Sequence, residues 1–343
     1  MTKARVARRI AMAAAYGGGG LGLLSAGAFG VVRAEAALAR RTIGEPTGSP
    51  PDADMLYGSN HPGEPLRLAL LGDSSAGGLG VGHPHQTPGA MLAAGLAECA
   101  DRPVRLVCVA EVGARSSDLP GQVDAVEDLR PDVAVVMIGA NDVTHRVRPP
   151  TAVRHLDHVV RRLRDLEAEV VVGTCPDLGT VEPVPQPLRW IARRASRQLA
   201  AAQTIVVVEA GGRSVSLGDI LGPEFAASPK EMFGPDRFHP SVAGYASAAA
   251  ALLPSVCAAL DVWFGGVPEE LPDLDRGEGV RPIALAAVEA ADEPGTEVAG
   301  AQVGGRDRGP RGRWALLRHR RTQPAPDVEA SAADEGSAPT ARR

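Results

Sequence analysis

Five short, near-continuously apolar runs in the middle of the chain constrain its fold more than any other feature. They are Arg67–Leu71, Val104–Val109, Val133–Ile138, Val170–Thr174 and Ile205–Glu209. Their wealth of β-branched residues is what strands buried on both faces require. Helical patterns lie between them. Thr151–Glu169 sets Val153, Leu156, Val159, Val160, Leu163 and Leu166 on one face and arginines on the other. Ser241–Leu253 is an Ala-rich last helix, closed by Pro254. Strand and helix in alternation predict an α/β fold: a five-stranded, doubly wound parallel sheet with helices on both faces, in one domain over residues 66–265. Sites in such sheets lie at the carboxyl ends of the strands.

Composition narrows what this domain can do. Aromatic residues make up 3% of the 343 residues, so Ala, Val, Leu and Ile must build the core. Residues 66–265 carry 18 basic and 22 acidic side chains, with no basic face of the kind that nucleic acid demands; no nucleic-acid partner is expected. Cys99, Cys108, Cys175 and Cys257 form no C-x-x-C pair and no Cys/His cluster, so no structural metal is expected. Cys108 and Cys175 fall in strand-like runs and read as buried thiols; a Cys99–Cys108 bridge stays open.

The flanks read differently from the body. Lys3, Arg5, Arg8 and Arg9 precede Ile10–Val32, 23 residues without a charge. As a helix this stretch spans about 35 Å, enough to cross a bilayer. Residues 1–41 are therefore either a cytoplasmic stub with a transmembrane anchor or a cleaved export signal, for which Ala34-Glu35-Ala36 and Ala37-Leu38-Ala39 offer cleavage sites. The basic N-terminus favours a cytoplasmic start and a domain outside the membrane, single-pass or secreted. Residues 42–65, rich in Pro and Gly, read as a linker, and residues 266–343, a Pro/Gly/charged tail, as disordered. Seven arginines in Arg306–Arg321 make that tail locally basic.

The residues just after the runs carry chemistry. Gly72-Asp73-Ser74-Ser75 follows the first, Glu111-Val112-Gly113 the second and Gly139-Ala140-Asn141-Asp142 the third, while Asp236-Arg237-Phe238-His239-Pro240 precedes the last helix. A serine, backbone donors, a side-chain amide and an Asp/His pair are the parts of acyl transfer through an activated serine. His239 can take the Ser74 proton near neutral pH, and Asp236 can fix the imidazole tautomer. The backbone N–H groups of Ser74 and Gly113 and the Asn141 amide can meet an oxyanion, each such donor being worth about 3 kcal/mol of barrier. His83-Pro84-His85 lacks a third ligand for a metal. A Gly-x-Ser-x-Gly elbow, as the α/β-hydrolases use, is missing around Ser74.

These four blocks, in this order, resemble those of the SGNH hydrolases, the GDSL-like esterases and lipases, over about residues 66–260. The resemblance implies a flavodoxin-like three-layer αβα sandwich and ester hydrolysis with no cofactor or metal. Carried over by position, it implies Ser74 as nucleophile, His239 as base, Asp236 as its orienter, and Ser74, Gly113 and Asn141 as the oxyanion hole. The expected substrate is an acyl ester, of an envelope lipid or glycan. An O-acyltransferase with the same triad and a non-catalytic binding protein of the same fold are the alternatives. Trp190, opening an amphipathic helix after the fourth run, is a candidate for the acyl pocket.

Overall fold

A computed structural model describes residues 30–39, 41–43 and 48–262. The first described segment is helical, α1, at residues 30–39 and 41–43. The chain then runs through β1 (Leu56–Tyr57), β2 (Leu66–Gly72), α2 (Ser74–Gly77), α3 (Pro88–Ala100), β3 (Val104–Cys108), α4 (Leu119–Val126) and β4 (Val133–Met137). There follow α5 (Ala140–Thr144), α6 (Pro149–Asp165), β5 (Glu169–Gly173), α7 (Leu188–Glu209) and β6 (Arg213–Val215). Three short helices, α8 (Leu217–Ile220), α9 (Gly222–Ala227) and α10 (Pro229–Met232), lead into α11 (Val242–Ala259).

The strands form one six-stranded sheet in the order β1-β3-β2-β4-β5-β6. All neighbours are parallel except β1, which runs antiparallel to β3. Without β1, the order is that of the flavodoxin kind of doubly wound sheet. Alternate residues of each strand serve opposite layers, as the period of two requires. Leu68, Leu70, Val133 and Val135 join Leu92 and Leu96 of α3 and Leu252 and Val256 of α11. Ala69, Leu71, Ala134 and Val136 join Val123 of α4 and Leu156, Val159 and Leu163 of α6. The three layers follow from that alternation.

The structure corrects the sequence reading in four places. The sheet has six strands and is mixed, not five and parallel. Ile205–Glu209 is the last stretch of the 22-residue helix α7, and the strand that completes the parallel set is the three-residue β6 beyond Gly211-Gly212. The supposed linker is stitched to the domain: β1 pairs with Val104 and Arg105, Met55 O accepts from Leu106 N, and Asp54 Oδ1 accepts from Cys108 N at 2.7 Å. The last helix runs through Pro254 to Ala259, its final turn held by the buried Val256 and Cys257. All four cysteines are free thiols, and the neighbour of Cys99 is Cys257, not Cys108.

Among the described helices, α11 alone is long and apolar enough to cross a membrane by length and composition, with a mean hydropathy of 1.6. It packs beside α3 on one face of the sheet, and 56% of it is buried. Most of the Ile10–Val32 stretch and the whole 266–343 tail lie outside the described residues. Within the described part, α1 rests on the domain: Ala39 is buried, and Glu35 Oε2 accepts the Leu188 N–H at 2.8 Å.

Candidate active site

β2 ends in Gly72, whose φ of +140° only glycine adopts readily. A Cβ there would sit 2.0 Å from the Met137 carbonyl oxygen, so the close approach of β2 to β4 excludes any side chain. The chain turns at once into α2, with Asp73 as its cap: Asp73 Oδ1 accepts from Ser75 N at 2.9 Å. Ser74 is thereby fixed as the first helical residue at the carboxyl end of a central strand. Burial pushes the Asp73 carboxyl up to about 6, against the pull of its bonds to Ser75.

The loop between α10 and α11 supplies the facing groups. Gly234 N donates to His239 O at 2.8 Å and Ser241 N to Met232 O at 2.9 Å, closing the loop on itself. Inside it, Asp236 Oδ1 accepts from the backbone N–H groups of Phe238 and His239 at 2.9 and 3.0 Å. Asp236 Oδ2 lies 2.6 Å from His239 Nδ1, and His239 Nε2 lies 3.0 Å from Ser74 Oγ. With Nδ1–H given to the carboxylate, Nε2 is the tautomer's free acceptor for the serine hydroxyl. Burial works to raise the Asp236 carboxyl, but the bonds from His239 and the two backbone donors outweigh it and hold it below the usual range. Ser74 and His239 are both buried.

Gly113 sits in the loop after β3 with φ +85°. An added Cβ would meet nothing within 4 Å, so it is the backbone conformation, not crowding, that requires glycine there. Asn141 occupies the first turn of α5, and its Nδ2 donates to Ala114 O at 3.1 Å, linking the two loops. The structure thus brings Ser74, His239 and Asp236 into one hydrogen-bonded chain and ties the Gly113 loop to Asn141. Trp190 does not line the cavity beside its helix. Trp190 is 59% exposed, and it is Leu188, Ile191 and Ala192 of the same helix that line the cavity beside it.

Three positioning residues escaped the sequence reading. Gln122 on α4 acts as a strand would: its Oε1 accepts from Gly72 N at 2.8 Å and its Nε2 donates to Gly72 O at 2.9 Å. Gln203 on α7 spans the ends of β4 and β5, accepting from Cys175 N at 2.7 Å and donating to Ile138 O at 3.0 Å. Asp142 accepts from Ser116 N at 3.1 Å and Ser116 Oγ at 2.8 Å, fastening the Gly113 loop to α5 a second time. Nothing in a lone glutamine's sequence context marks such a clamp. The Asp142 contact had a signal in its place beside Asn141.

The GDSL-like Lipase/Acylhydrolase family model matches residues 70–247, just over half of the chain and every residue of the site described above. The chain belongs to that family. A GDSL-like esterase of Mycobacterium tuberculosis (strain ATCC 25618 / H37Rv) is 42% identical over 253 residues, covering 70% of this chain and 80% of its own length. Among solved structures, TesA is 22% identical with a TM-score of 0.43, over 57% of this chain and 98% of its own. A mutant of Axe2, an acetylxylan esterase from Geobacillus stearothermophilus, is 21% identical with a TM-score of 0.43, over 58% and 96%. As a GDSL-like family member, the protein is an enzyme of the carboxylic ester hydrolase class. Among the described residues, no group of three His, Cys, Asp or Glu side chains could hold a metal ion.

Proposed function

We propose that the protein hydrolyses acyl esters with Ser74 as nucleophile. The observation that carries this reading is the continuous chain from Ser74 Oγ through His239 to Asp236, at 3.0 and 2.6 Å. His239 Nε2 takes the hydroxyl proton as Ser74 Oγ attacks the ester carbonyl. Asp236 holds the imidazole in the accepting tautomer and stabilises the imidazolium that forms. The Ser74 and Gly113 N–H groups and the Asn141 amide stabilise the oxyanion. His239 then gives its proton to the leaving alcohol, and a water, deprotonated by the same nitrogen, releases the acid and restores the serine. The Lys3–Arg9 cluster before the uncharged Ile10–Val32 stretch supports a catalytic domain held or released outside the cytoplasmic membrane, acting on envelope acyl esters of lipid or glycan.

The test is fluorophosphonate labelling of the full-length chain together with hydrolysis of p-nitrophenyl acetate. Wild type is expected to label and to cleave, and Ser74→Ala to do neither. A folded wild type that neither labels nor cleaves would refute the reading. An added alcohol or glycan that raised turnover and appeared as a new ester would replace it with acyl transfer.

A further inference from the structure

Beside the candidate site lies a cavity of about 910 Å³, at the upper end of what ligand pockets hold. Its walls are mostly apolar, with Thr144, His145, Arg146 and Gln198 as the polar exceptions. Val147, Val181 and Leu199 line it from the domain, Leu188, Ile191 and Ala192 from the start of α7. The remaining side is α1, through Val32, Ala36, Ala39 and Ile43. The family match begins at residue 70, so this wall lies outside it.

Two elements connect the cavity to the site. Phe238 lines it, and its ring stands edge-on to that of His239, with centroids 5.0 Å apart. Val143 and Thr144 line it from α5, the five-residue helix that carries Asn141 in its first turn. Through Phe238 and α5 the cavity thus adjoins the groups that would hold a carbonyl at Ser74. Most of this wall offers the polar groups of a lipid or glycan alcohol no partner, whereas a hydrocarbon tail needs none.

We propose that this cavity receives the acyl chain of the substrate and that α1, by walling it, makes the enzyme selective for medium- to long-chain acyl esters. The proposal rests on the hydrolase reading above. The Glu35–Leu188 hydrogen bond and the buried Ala39 hold α1 in place as that wall.

Two measurements on the full-length chain test it. In the Ser74→Ala background, dansyl-undecanoic acid binding is followed by fluorescence and competed with dodecanoic acid. Ala192→Trp and Ala36→Trp, which fill the cavity from opposite walls, are each expected to weaken probe binding at least tenfold. With Ser74 present, the same substitutions are expected to lower the ratio of kcat/KM for p-nitrophenyl dodecanoate over acetate at least tenfold. Ala192→Leu, a smaller intrusion, should move both readouts the same way by less, and it serves if a tryptophan variant fails to fold. Folded variants with unchanged ratio and unchanged probe affinity would overturn the proposal. So would failure of the Ser74→Ala protein to bind the probe, as when another part of the chain fills the space. A wild type that cleaves acetate but shows either of these results refutes the cavity assignment alone. One that neither cleaves nor labels refutes the hydrolase reading instead.

Discussion

Replacing Asp73 by Asn should make the protein more stable at pH 8 than wild type, and by much less near pH 4. The carboxyl is buried, and folding raises it from its ordinary 3.8 to about 6. A group raised by folding contributes stability that is fully present below its unfolded value and is lost as pH rises through its folded value. Between pH 3.8 and 6 the native state holds a proton that the unfolded chain has released, so the Asp73 contribution falls across that window. At 1.36 kcal/mol per pH unit, the gap corresponds to about 3 kcal/mol. Asparagine has no charge to desolvate, and its Oδ1 can still accept from Ser75 N, so the cap on α2 survives. The assay is urea unfolding of both proteins, followed by far-UV circular dichroism at pH 4, 6 and 8. The stability difference should grow by about 2.4 kcal/mol from pH 4 to pH 8, since the unfolded carboxyl is already more than half ionised at pH 4, with most of the change complete by pH 7. A difference constant within about 0.5 kcal/mol, or a variant less stable at pH 8 than at pH 4 relative to wild type, would show that the buried carboxyl is not strained by its surroundings. Asp236 should behave with the opposite sign. Its carboxyl is lowered by folding, so its contribution stands above pH 4 and is lost as the solution becomes more acid.

Two further outcomes follow from the site. Asp236→Asn keeps the shape of the loop but leaves His239 Nδ1 facing an amide, and kcat for p-nitrophenyl acetate should fall by about 10³- to 10⁴-fold with little change in KM. Asp142→Ala removes both bonds to Ser116 and leaves that hydroxyl and N–H buried without their acceptor; urea unfolding should show a loss of about 2–4 kcal/mol. The same variant should lose kcat more than KM, because the loop carrying Gly113 is then tied to α5 through Asn141 alone.

The site was more legible in the sequence than the sheet that carries it. Ser74, Gly113 and Asn141 each follow a strand whose apolar run is unambiguous, and the three-residue spacing of Asp236 and His239 is short enough for one loop to make their bond. Residues 205–209 misled because four β-branched residues in a row satisfy a strand pattern, while only their continuity with the helical turns before them reveals α7. The true strand, Arg213-Ser214-Val215, is too short and too polar to show a pattern. Its place is set by pairing with Val171, Val172 and Gly173, a contact between distant parts of the chain. β1 was hidden for the same reason among prolines and glycines. Gln122 and Gln203 are clamps only in three dimensions, since each bonds backbone at least 28 residues away.

The two-residue β1 has a consequence for how these molecules behave in a crowd. A bare β3 would offer neighbouring chains a row of unsatisfied donors, the usual template for edge-to-edge aggregation. Here the Leu106 N–H is taken by Met55 and the Cys108 N–H by the Asp54 side chain, and the charged Arg105 is exposed between them. At the opposite margin β6 extends for three residues only. One margin is thus partly satisfied and the other short, so molecules packed densely together are expected to stay separate rather than join sheet to sheet.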